Sequence, residues 1–559
     1  MNKFVRLFLI VALLAVAVSA SMSAVQAKPS GTVNVQILAL NDFHGNLLPP
    51  SGSSGRVGSI DAGGVEYLAT HINNLRALNP NTVVVSAGDM VGASPLISAL
   101  FHDEPTIEAF NLIGLDFNAV GNHEFDEGWS ELVRLQEGGC HPVDGCLDGD
   151  DFAGANFQFL AANVTRKDNG KTIFPAYKMR SFAGAKIAFI GMTLEGTPSI
   201  VTPSGIADLN FLDEADTVNA LIPKLKAKGI ETIVVLIHEG ATQVPSSSPI
   251  NSCSGISGPI VDIVNRFDDE VDVVISGHTH QPYNCTIDGK LVTSAFSFGR
   301  LVTKIDLTID RATGEVTTMA ADNRIVTRDV AKDSFLTALV NKYNALVAPI
   351  ANRVIGSITA TITRTNNAAG ESALGDVIAD AQLYATADPA NGGAVIAFMN
   401  PGGIRADLSY ASSVGEGDGN VTYGESFTVQ PFGNNLVTVT MTGAQIDTLL
   451  EQQFVGCGQT SNRILQVSNG FTYSWSSSAP ACNKVDATSI KLNGVTLDPN
   501  ASYRVTMNSF LADGGDNFSA FTLGTNRLGG AVDTDALEGY FVAFSPVAPG
   551  PMNRITVLP

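Results

Sequence analysis

The sequence has few cations and few cysteines, and it has neither a low-complexity tract nor an internal repeat. With 33 lysines and arginines against 54 acidic residues, its net charge is −21, which disfavours binding to nucleic acid polymers. The 6 cysteines form no CxxC pair, and this disfavours a zinc-thiolate site. A composition of 45% apolar and 16% charged residues is that of a folded protein, and 559 residues exceed one ordinary core. The sequence therefore predicts two large globular domains.

After the first 27 residues, no uninterrupted apolar run reaches the roughly 20 residues that a membrane-spanning helix requires. Within those first residues, Lys3 and Arg6 precede the apolar run at 7–18, and small residues follow up to Ala27. This pattern is typical of a secretory signal peptide that is cleaved near Ala27. A retained anchor or a lipoprotein is the alternative, although no cysteine lies near the cleavage point. We expect a secreted mature chain, periplasmic or extracellular, without a membrane span.

An even number of cysteines in an exported chain indicates disulfide bonds. Six thiols allow 15 different pairings. Proximity along the chain favours Cys140 with Cys146, Cys253 with Cys285, and Cys457 with Cys482.

The distribution of apolar runs divides the chain into parts. From Val33 to about Ile325, β-rich runs alternate with helix-like segments, which is an α/β pattern. A helical stretch follows over about 329–350, and short strands with Gly-Asn turns and a helix at about 372–384 come after it. We therefore predict a signal peptide at 1–27, a catalytic domain at 28–328, a helical linker at 329–352 and a smaller α+β domain at 353–559.

Residues of metal-ligand type follow apolar runs of the first half. They are Asp42 and His44, Asp89, Asn122 and His123, His238, and His278 with His280. The carboxyl ends of strands in an α/β sheet meet at one crevice, so these side chains are expected to form one site. Five of the 8 histidines occupy these positions.

The number and type of these side chains suit two metal ions better than one. Carboxylate, amide and imidazole ligands together favour divalent zinc, manganese or cobalt over calcium. Two ions about 3.5–4 Å apart clamp a phosphate and lower the pKa of the attacking water. The chemistry expected of this site is hydrolysis by in-line displacement.

The motifs of the first half resemble those of the calcineurin-like metallophosphoesterases. These motifs are DFH at 42–44, GD at 88–89, GNHEFD at 121–126, HEG at 238–240 and GHTH at 277–280, and GNHEFD is similar to the 5′-nucleotidase branch. The resemblance implies a sandwich of two β-sheets flanked by helices, followed by a substrate-binding domain. It also implies Asp42, His44, Asp89 and His280 on one metal ion, and Asp89, Asn122, His238 and His278 on the other. In the same family pattern, His123 stabilises the transition state or acts as an acid, paired with Asp126.

The second half resembles the same family. Its motifs are ESALGDVIADAQ from 371, NPGGIR at 400–405, QPFGN at 430–434 and NSFLADGGDNF at 508–518. The resemblance implies a base between Phe432 and Phe510, ribose hydroxyls on Asp516, polar contacts from Asn400 and Asn434, and a phosphate on Arg405. The family supplies further arginines before the first of these motifs, where this chain has only Arg364, which we assign to substrate as well. Because this is a departure from the family, it puts the preferred phosphate position in doubt.

The expected function is hydrolysis of nucleoside 5′-phosphates, extending to nucleoside diphosphates or UDP-sugars. Two alternatives stay open on the sequence. One is a 2′,3′-cyclic-nucleotide 2′-phosphodiesterase with 3′-nucleotidase activity on the same fold. The other is a nucleoside-binding surface protein without turnover. The presence of every candidate metal ligand, and of His123 and Asp126, argues against this alternative.

Overall fold

A computed structural model describes residues 30–50, 52–201, 203–245, 247–412 and 415–559. The predicted signal peptide and its cleavage point at Ala27 lie outside the described residues. Within the described ranges, we find no helix with the length and apolarity needed to cross a bilayer. The chain forms two domains, as the sequence predicts.

Two six-stranded sheets build the first domain. Across the first sheet the strands are Val316–Ile325, Leu301–Asp310, Thr32–Leu40, Thr82–Ser86, Phe117–Ala119 and Gln158–Leu160. Across the second they are Pro282–Ile287, Lys290–Ala295, Val273–Ser276, Thr232–His238, Ala185–Thr193 and Tyr177–Phe182. Strand Thr32–Leu40 runs parallel to Thr82–Ser86, and Thr232–His238 runs parallel to both of its neighbours. Two-stranded ribbons pair Arg56–Val57 with Ile60–Asp61 and Val164–Arg166 with Leu209–Phe211.

The sheets pack face to face and are covered by helices on their outer faces. Consecutive strand residues point to opposite faces, so Ile37 lies in the core between the sheets while Leu38 lies in the core under the helices. Both side chains are fully buried. The covering helices are Val65–Arg76, Leu96–Ala99, Glu104–Ile113, Trp129–Glu137, Glu214–Lys226 and Pro259–Arg266. The predicted four-layer sandwich is confirmed.

A single long helix, Ser334–Ala351, leads into the second domain. Asp333 caps it by accepting hydrogen bonds from the backbone of Phe335 and Leu336 at 3.0 and 3.2 Å. Its apolar side chains Leu336, Val340, Tyr343 and Val347 are buried in the core of the first domain. The predicted connector is thus a helix that packs on the first domain along its length.

The second domain is of α+β type. Its five-stranded sheet has the order Gln466–Val467, Ile396–Met399, Ser502–Asn508, Asn435–Thr442 and Thr525–Val532. A four-stranded sheet has the order Val495–Thr496, Lys491–Leu492, Phe471–Ser476 and Ile555–Leu558, and Val354–Ser357 pairs with Asn420–Thr422. The helices are Ala373–Thr386, Tyr423–Val429, Gly443–Glu451, Ser509–Ala512 and Asp533–Phe544. Ala373–Thr386 is the helix that the sequence predicts at 372–384.

Three disulfide bonds join the cysteines. They link Cys140 with Cys146, Cys253 with Cys285, and Cys457 with Cys482, with Cα atoms 4.7, 5.1 and 5.1 Å apart. These are the pairs favoured by proximity along the chain.

Candidate active site

The predicted metal ligands lie at the carboxyl ends of parallel strands. In the first sheet, Asp42, His44 and Asp89 follow two adjacent strands, and Asn122 follows the next. In the second sheet, His238 ends its strand, and His278 and His280 follow the neighbouring strand. The sandwich brings these two edges together, because both sheets expose the ends of their parallel strands on the same side.

One group of side chains surrounds Asp42. His280 Nε2 lies 3.2 Å from Asp42 Oδ1 and 3.1 Å from His44 Nε2. His44 Nε2 is also 3.7 Å from Asp89 Oδ2. Ligand atoms of Asp42, His44 and His280 all lie within 4.8 Å of one another, so one ion could contact all three.

A second group shares Asp89 with the first. His238 Nε2 lies 2.9 Å from Asp89 Oδ2, and His278 Nδ1 lies 3.0 Å from Asn122 Oδ1. Ligand atoms of Asp89, His238 and His278 also lie within 4.8 Å of one another. Asp89 is therefore placed between two groups of candidate ligands.

The backbone at this edge is strained. Asp42, His44, Asp89, His278 and His280 all adopt a left-handed conformation, with φ between 48° and 69°. Non-glycine residues rarely adopt positive φ, and such strain concentrates at functional sites. Five of the seven predicted ligands have this conformation, which indicates that side-chain placement takes precedence over backbone relaxation here.

The orientation of His238 indicates that a cation fits between these side chains. Its Nδ1 lies 2.8 Å from the carbonyl oxygen of Ala87, which only accepts, so Nδ1 carries the proton. The fully buried Nε2 has no hydrogen-bond partner, although Asp89 Oδ2 is 2.9 Å away. In a neutral ring, the Nε2 lone pair therefore faces a carboxylate, an arrangement that a bound cation stabilises. Burial lowers the pKa of His238, but the charge of Asp89 outweighs burial and raises it to about 10. A positive charge beside Asp89 is therefore favoured, whether a proton or a metal ion supplies it.

His44 repeats this arrangement on the other side of Asp89. Its Nδ1 lies 2.9 Å from the carbonyl oxygen of Gly92, so its Nε2 lone pair faces His280 Nε2 at 3.1 Å. Burial holds the pKa of His44 well below its usual range, so the ring is neutral. The residues present thus fit divalent metal ions, which imidazole and carboxylate ligands hold together.

His123 lies beside these groups and is tied to Asp126. Its Nδ1 is 2.9 Å from Asp126 Oδ2, and its backbone N donates to Asp89 Oδ1 at 2.9 Å. Burial lowers the pKa of His123, but the charges of Asp126 and Asp89 outweigh burial and raise it. With Nδ1 held by the carboxylate, Nε2 is left to act on a substrate.

Glu124 is a buried residue of the site that was not predicted from the sequence. Its buried carboxylate accepts hydrogen bonds from the backbone N of Asp89, Met90 and Gly121 at 2.9, 2.9 and 2.6 Å. Burial and the charge of Asp89 raise its pKa to about 7. Glu124 therefore joins the loop that carries Asp89 to the loop that carries Asn122, and its place inside GNHEFD was the available signal.

The second domain closes over His123 and forms a cavity of about 270 Å³. Asn122, His123 and Asp126 line one part of it, and Phe432, Phe510 and Asp516 line another. Phe432 lies over His123, with ring centroids 5.7 Å apart and planes at 21°. A Cβ atom on Gly515 would lie 2.5 Å from the Phe510 ring, so the observed position of this ring requires glycine at 515.

Arg405 places a cation between the two parts of this cavity. Its guanidinium lies 5.8 Å from the centroid of Phe432. Burial lowers the pKa of Arg405, and nearby Arg364 lowers it further. The charges of Asp407 on Arg364 and of Asp89 on Arg405 act in the opposite direction, but among the described residues no ion pair joins either guanidinium to a carboxylate. A buried guanidinium in this position is suited to charge-assisted hydrogen bonds with an anion.

Of the remaining predicted substrate residues, Asn400 and Asn434 lie in this cavity and Arg364 does not line it. Asn400 Nδ2 donates to Asp516 Oδ2 at 2.9 Å, and Ser509 Oγ donates to Asn434 Oδ1 at 3.2 Å. Arg463 and Asn508 also line the cavity, although no sequence motif singled them out as substrate residues.

Two family models match the chain. The model of the calcineurin-like phosphoesterase matches residues 35–282, and that of the 5′-nucleotidase C-terminal domain matches residues 354–523. Their order agrees with the two domains of the structure.

The similar proteins include bacterial relatives of greater length. Endonuclease YhcR of Bacillus subtilis is 32% identical over 544 residues, which cover 95% of this chain and 41% of that protein. Cell wall protein Lmo0130 of Listeria monocytogenes is 32% identical over 550 residues, which cover 93% of this chain and 69% of that protein. The crystal structure of a 5′-nucleotidase precursor from Thermus thermophilus superposes with a TM-score of 0.76 at 26% identity, covering 94% of this chain and 99% of that one.

Proposed function

The chain belongs to the 5′-nucleotidase family of calcineurin-like phosphoesterases, and we propose that it removes phosphate from nucleoside 5′-monophosphates with the aid of two divalent ions. Family membership makes it a hydrolase that requires divalent metal ions. The number of ions, the substrate and the residue roles are our proposal. Its main support is that His123, Arg405, Phe432 and Phe510 line one cavity.

We assign the seven predicted ligands to two ions that share Asp89. Asp42, His44 and His280 belong to the first ion, and Asn122, His238 and His278 belong to the second. The chemistry that two such ions supply is neutralisation of phosphate charge and a lowered pKa of water. Zinc, manganese and cobalt all suit this ligand set.

The phosphate lies between the ligand groups and Arg405 in this proposal. Arg405 binds its oxygens through charge-assisted hydrogen bonds, and the charge of Arg364 increases the attraction. His123 Nε2 contacts the developing charge or protonates the ribose oxygen that leaves. Asp126 fixes the ring of His123 and favours its protonated form.

The nucleoside occupies the part of the cavity that the second domain supplies. Phe432 and Phe510 hold the base between them, and each aromatic face contributes about 1–3 kcal/mol by stacking. Asp516, with Asn400 beside it, accepts from the ribose hydroxyls, and Asn434 contacts a polar edge of the base. Hydrolysis of nucleoside diphosphates and UDP-sugars is the extension that the same placement allows.

Export is the remaining part of the proposal. It is supported by three disulfide bonds, which persist in oxidising compartments, and by a cell wall protein among the relatives. Expression of the full chain, with N-terminal sequencing of protein from the medium and periplasm, tests it. We expect a mature chain that begins after Ala27, and recovery of intact chain only in the cytoplasm would contradict export.

A substrate panel tests the activity. AMP, UMP, ADP, UDP-glucose, 2′,3′-cyclic AMP and 3′-AMP are each incubated with manganese, cobalt or zinc, and products are resolved by chromatography. We expect nucleoside and phosphate from AMP and UMP at the highest kcat/KM. Preference for 2′,3′-cyclic AMP and 3′-AMP would instead identify the cyclic phosphodiesterase, and no turnover of any of them would indicate a binding protein.

A further inference from the structure

Arg463 places a positive charge at the sugar end of the cavity. It lies between helix Gly443–Glu451 and strand Gln466–Val467 and lines the same cavity as Phe510 and Asp516. Its Nη1 donates to Asp516 Oδ1. Its side chain is 30% exposed, whereas that of Asp516 is 6% exposed. The guanidinium therefore covers the carboxylate to which we assign the ribose hydroxyls.

The loop that carries Arg463 is held from several sides. Gln453 is buried, and its side-chain Oε1 accepts a hydrogen bond from Leu465 N at 2.6 Å. Its backbone carbonyl oxygen accepts one from Arg463 N at 2.8 Å. Gln459 Nε2 donates to the carbonyl oxygen of Asp516 at 2.6 Å. The disulfide of Cys457 lies in the same loop. Arg463 is thus held at Asp516 by its backbone as well as by its charge.

Both oxygens of Asp516 already have partners within the chain. Oδ1 accepts from Arg463, and Oδ2 accepts from Asn400 Nδ2 at 2.9 Å. Asn400 is held in turn by Asn508, whose Nδ2 donates to Asn400 Oδ1 at 3.0 Å. The negative charge of Asp516 is therefore compensated, so it repels a nearby anion less than a free carboxylate would.

The opposite edge of the Arg463 guanidinium is free. Among the described residues, Nε and Nη2 have no hydrogen-bond partner, and only Nη1 is used. Nε and Nη2 form the planar fork of donors that matches two oxygens of a phosphate. Neutral hydroxyls use such a fork poorly, because the strongest hydrogen bonds of a guanidinium are made to charged oxygens.

We propose that Arg463 allows the site to bind nucleoside 5′-phosphates that carry a second phosphate ester on a ribose hydroxyl. This inference rests on the proposed function, which sets the 5′-phosphate at Arg405 and the ribose at Asp516. Hydrolysis adds water across the 5′ ester and releases inorganic phosphate, and the second ester remains on the nucleoside. Arg463 acts as a specificity-determining residue in this step and takes no part in the chemistry.

Kinetics of Arg463 variants test the inference. The kcat/KM values of AMP, adenosine 3′,5′-bisphosphate and adenosine 2′,5′-bisphosphate are measured for the native chain, Arg463→Gln and Arg463→Lys. We expect Arg463→Gln to lower kcat/KM for one or both bisphosphates by about 10-fold or more relative to AMP. Arg463→Lys, which keeps the charge without the fork, should lie between the native chain and Arg463→Gln. The two bisphosphates distinguish a phosphate at the 3′ oxygen from one at the 2′ oxygen.

A matched control and a binding assay complete the test. Arg527→Gln removes another arginine that pairs with an aspartate of the same domain, Asp513, but lies outside the cavity lining. Any effect of Arg527→Gln on kcat/KM should be the same for AMP and for the two bisphosphates. Equal losses for AMP and the bisphosphates in Arg463→Gln would show that Arg463 only holds Asp516, and would overturn the inference. Calorimetric titration measures the affinity of the native chain and Arg463→Gln for each bisphosphate and for AMP, and it tests the role of Arg463 without turnover. Absence of AMP hydrolysis would refute the proposed function but would leave this binding test intact.

Discussion

The ring of His123 lies 5.7 Å from the ring of Phe432, centroid to centroid, although the two residues belong to different domains. Arg405, also from the second domain, lies 5.8 Å from the centre of the same Phe432 ring. The wall of the cavity next to the proposed metal ligands is therefore supplied by the second domain. Changes in the first domain should alter chemistry, and changes in the second should alter nucleotide binding.

Asp126→Asn should shift the alkaline limb of the kcat profile to lower pH. Burial lowers the pKa of His123, and Asp126 and Asp89 outweigh it. Asp126→Asn removes the larger of the two charges that raise the pKa of His123, so His123 loses its proton at lower pH. Profiles of kcat for AMP, with the exposed Asp168→Asn as control, measure the shift. An unmoved alkaline limb would show that protonated His123 does not govern turnover.

Phe510→Ala should weaken nucleotide binding and spare the chemical step. Loss of one stacking face is worth about 1–3 kcal/mol, so KM for AMP should rise roughly 5- to 150-fold. Hydrolysis of p-nitrophenyl phosphate, which has no base, should be little changed. We prefer Phe510 to Phe432 for this test, because Phe432 also contacts His123. If Phe510→Ala slowed hydrolysis of p-nitrophenyl phosphate and of AMP equally, Phe510 would support the fold rather than bind the base.

Gly515→Ala should produce a milder form of the same defect. A Cβ at this position would lie 2.5 Å from the Phe510 ring, which has to move away. We expect KM for AMP to rise by about 3-fold or more, with p-nitrophenyl phosphate unaffected. Gly539→Ala is the control, because its Cβ would meet no atom within 4 Å. Native AMP kinetics in Gly515→Ala would mean that the ring position is unimportant for binding.

The fold and the common location of the candidate metal ligands were predictable from the sequence, because these residues directly follow apolar strands. The strand Thr232–His238 is wholly buried and ends directly on His238, so the apolar run and the ligand occur in one short segment. Strand Thr32–Leu40 is buried from Val35 onward, and Asp42 follows it two residues later. Such local patterns predict both the sheet and the edge at which the side chains meet.

Long-range contacts were not accessible in this way. Arg463 lies 53 positions from Asp516 in the sequence, and its loop carries no motif of the resemblance. The helical spacing of the apolar residues in Ser334–Ala351 predicts a buried face, but it does not predict that this face packs on the first domain. Glu124 stands inside GNHEFD, but the motif does not predict the three backbone N–H groups that donate to its carboxylate.

Joining the two domains covalently should suppress turnover. The segments Thr197–Ser199 and Gly515–Asn517 approach each other across the interface. Cysteines introduced at Ser199 and Asn517 are joined by a short bismaleimide, and the native cysteines are protected because all are in disulfides. If release of product requires the domains to separate, steady-state kcat for AMP should fall by about 10-fold or more.

Each single-cysteine variant, treated with the same reagent, controls for modification alone. We place the pivot after the helix Ser334–Ala351, since that helix packs on the first domain. A cross-linked chain that turns over AMP at the rate of the single-cysteine controls would show that the closed arrangement is sufficient for every step.

The requirement for two metal ions that share Asp89 is tested most directly by metal titration. The chain is stripped by a chelator and dialysed, and manganese, cobalt or zinc is added back while bound metal and AMP hydrolysis are measured together. We predict that activity returns as two ions bind per chain, and that Asp89→Asn neither binds them nor recovers activity, whereas the exposed Asp306→Asn behaves as the native chain does. Full activity in the stripped chain, or an active Asp89→Asn variant without bound metal, would contradict the account.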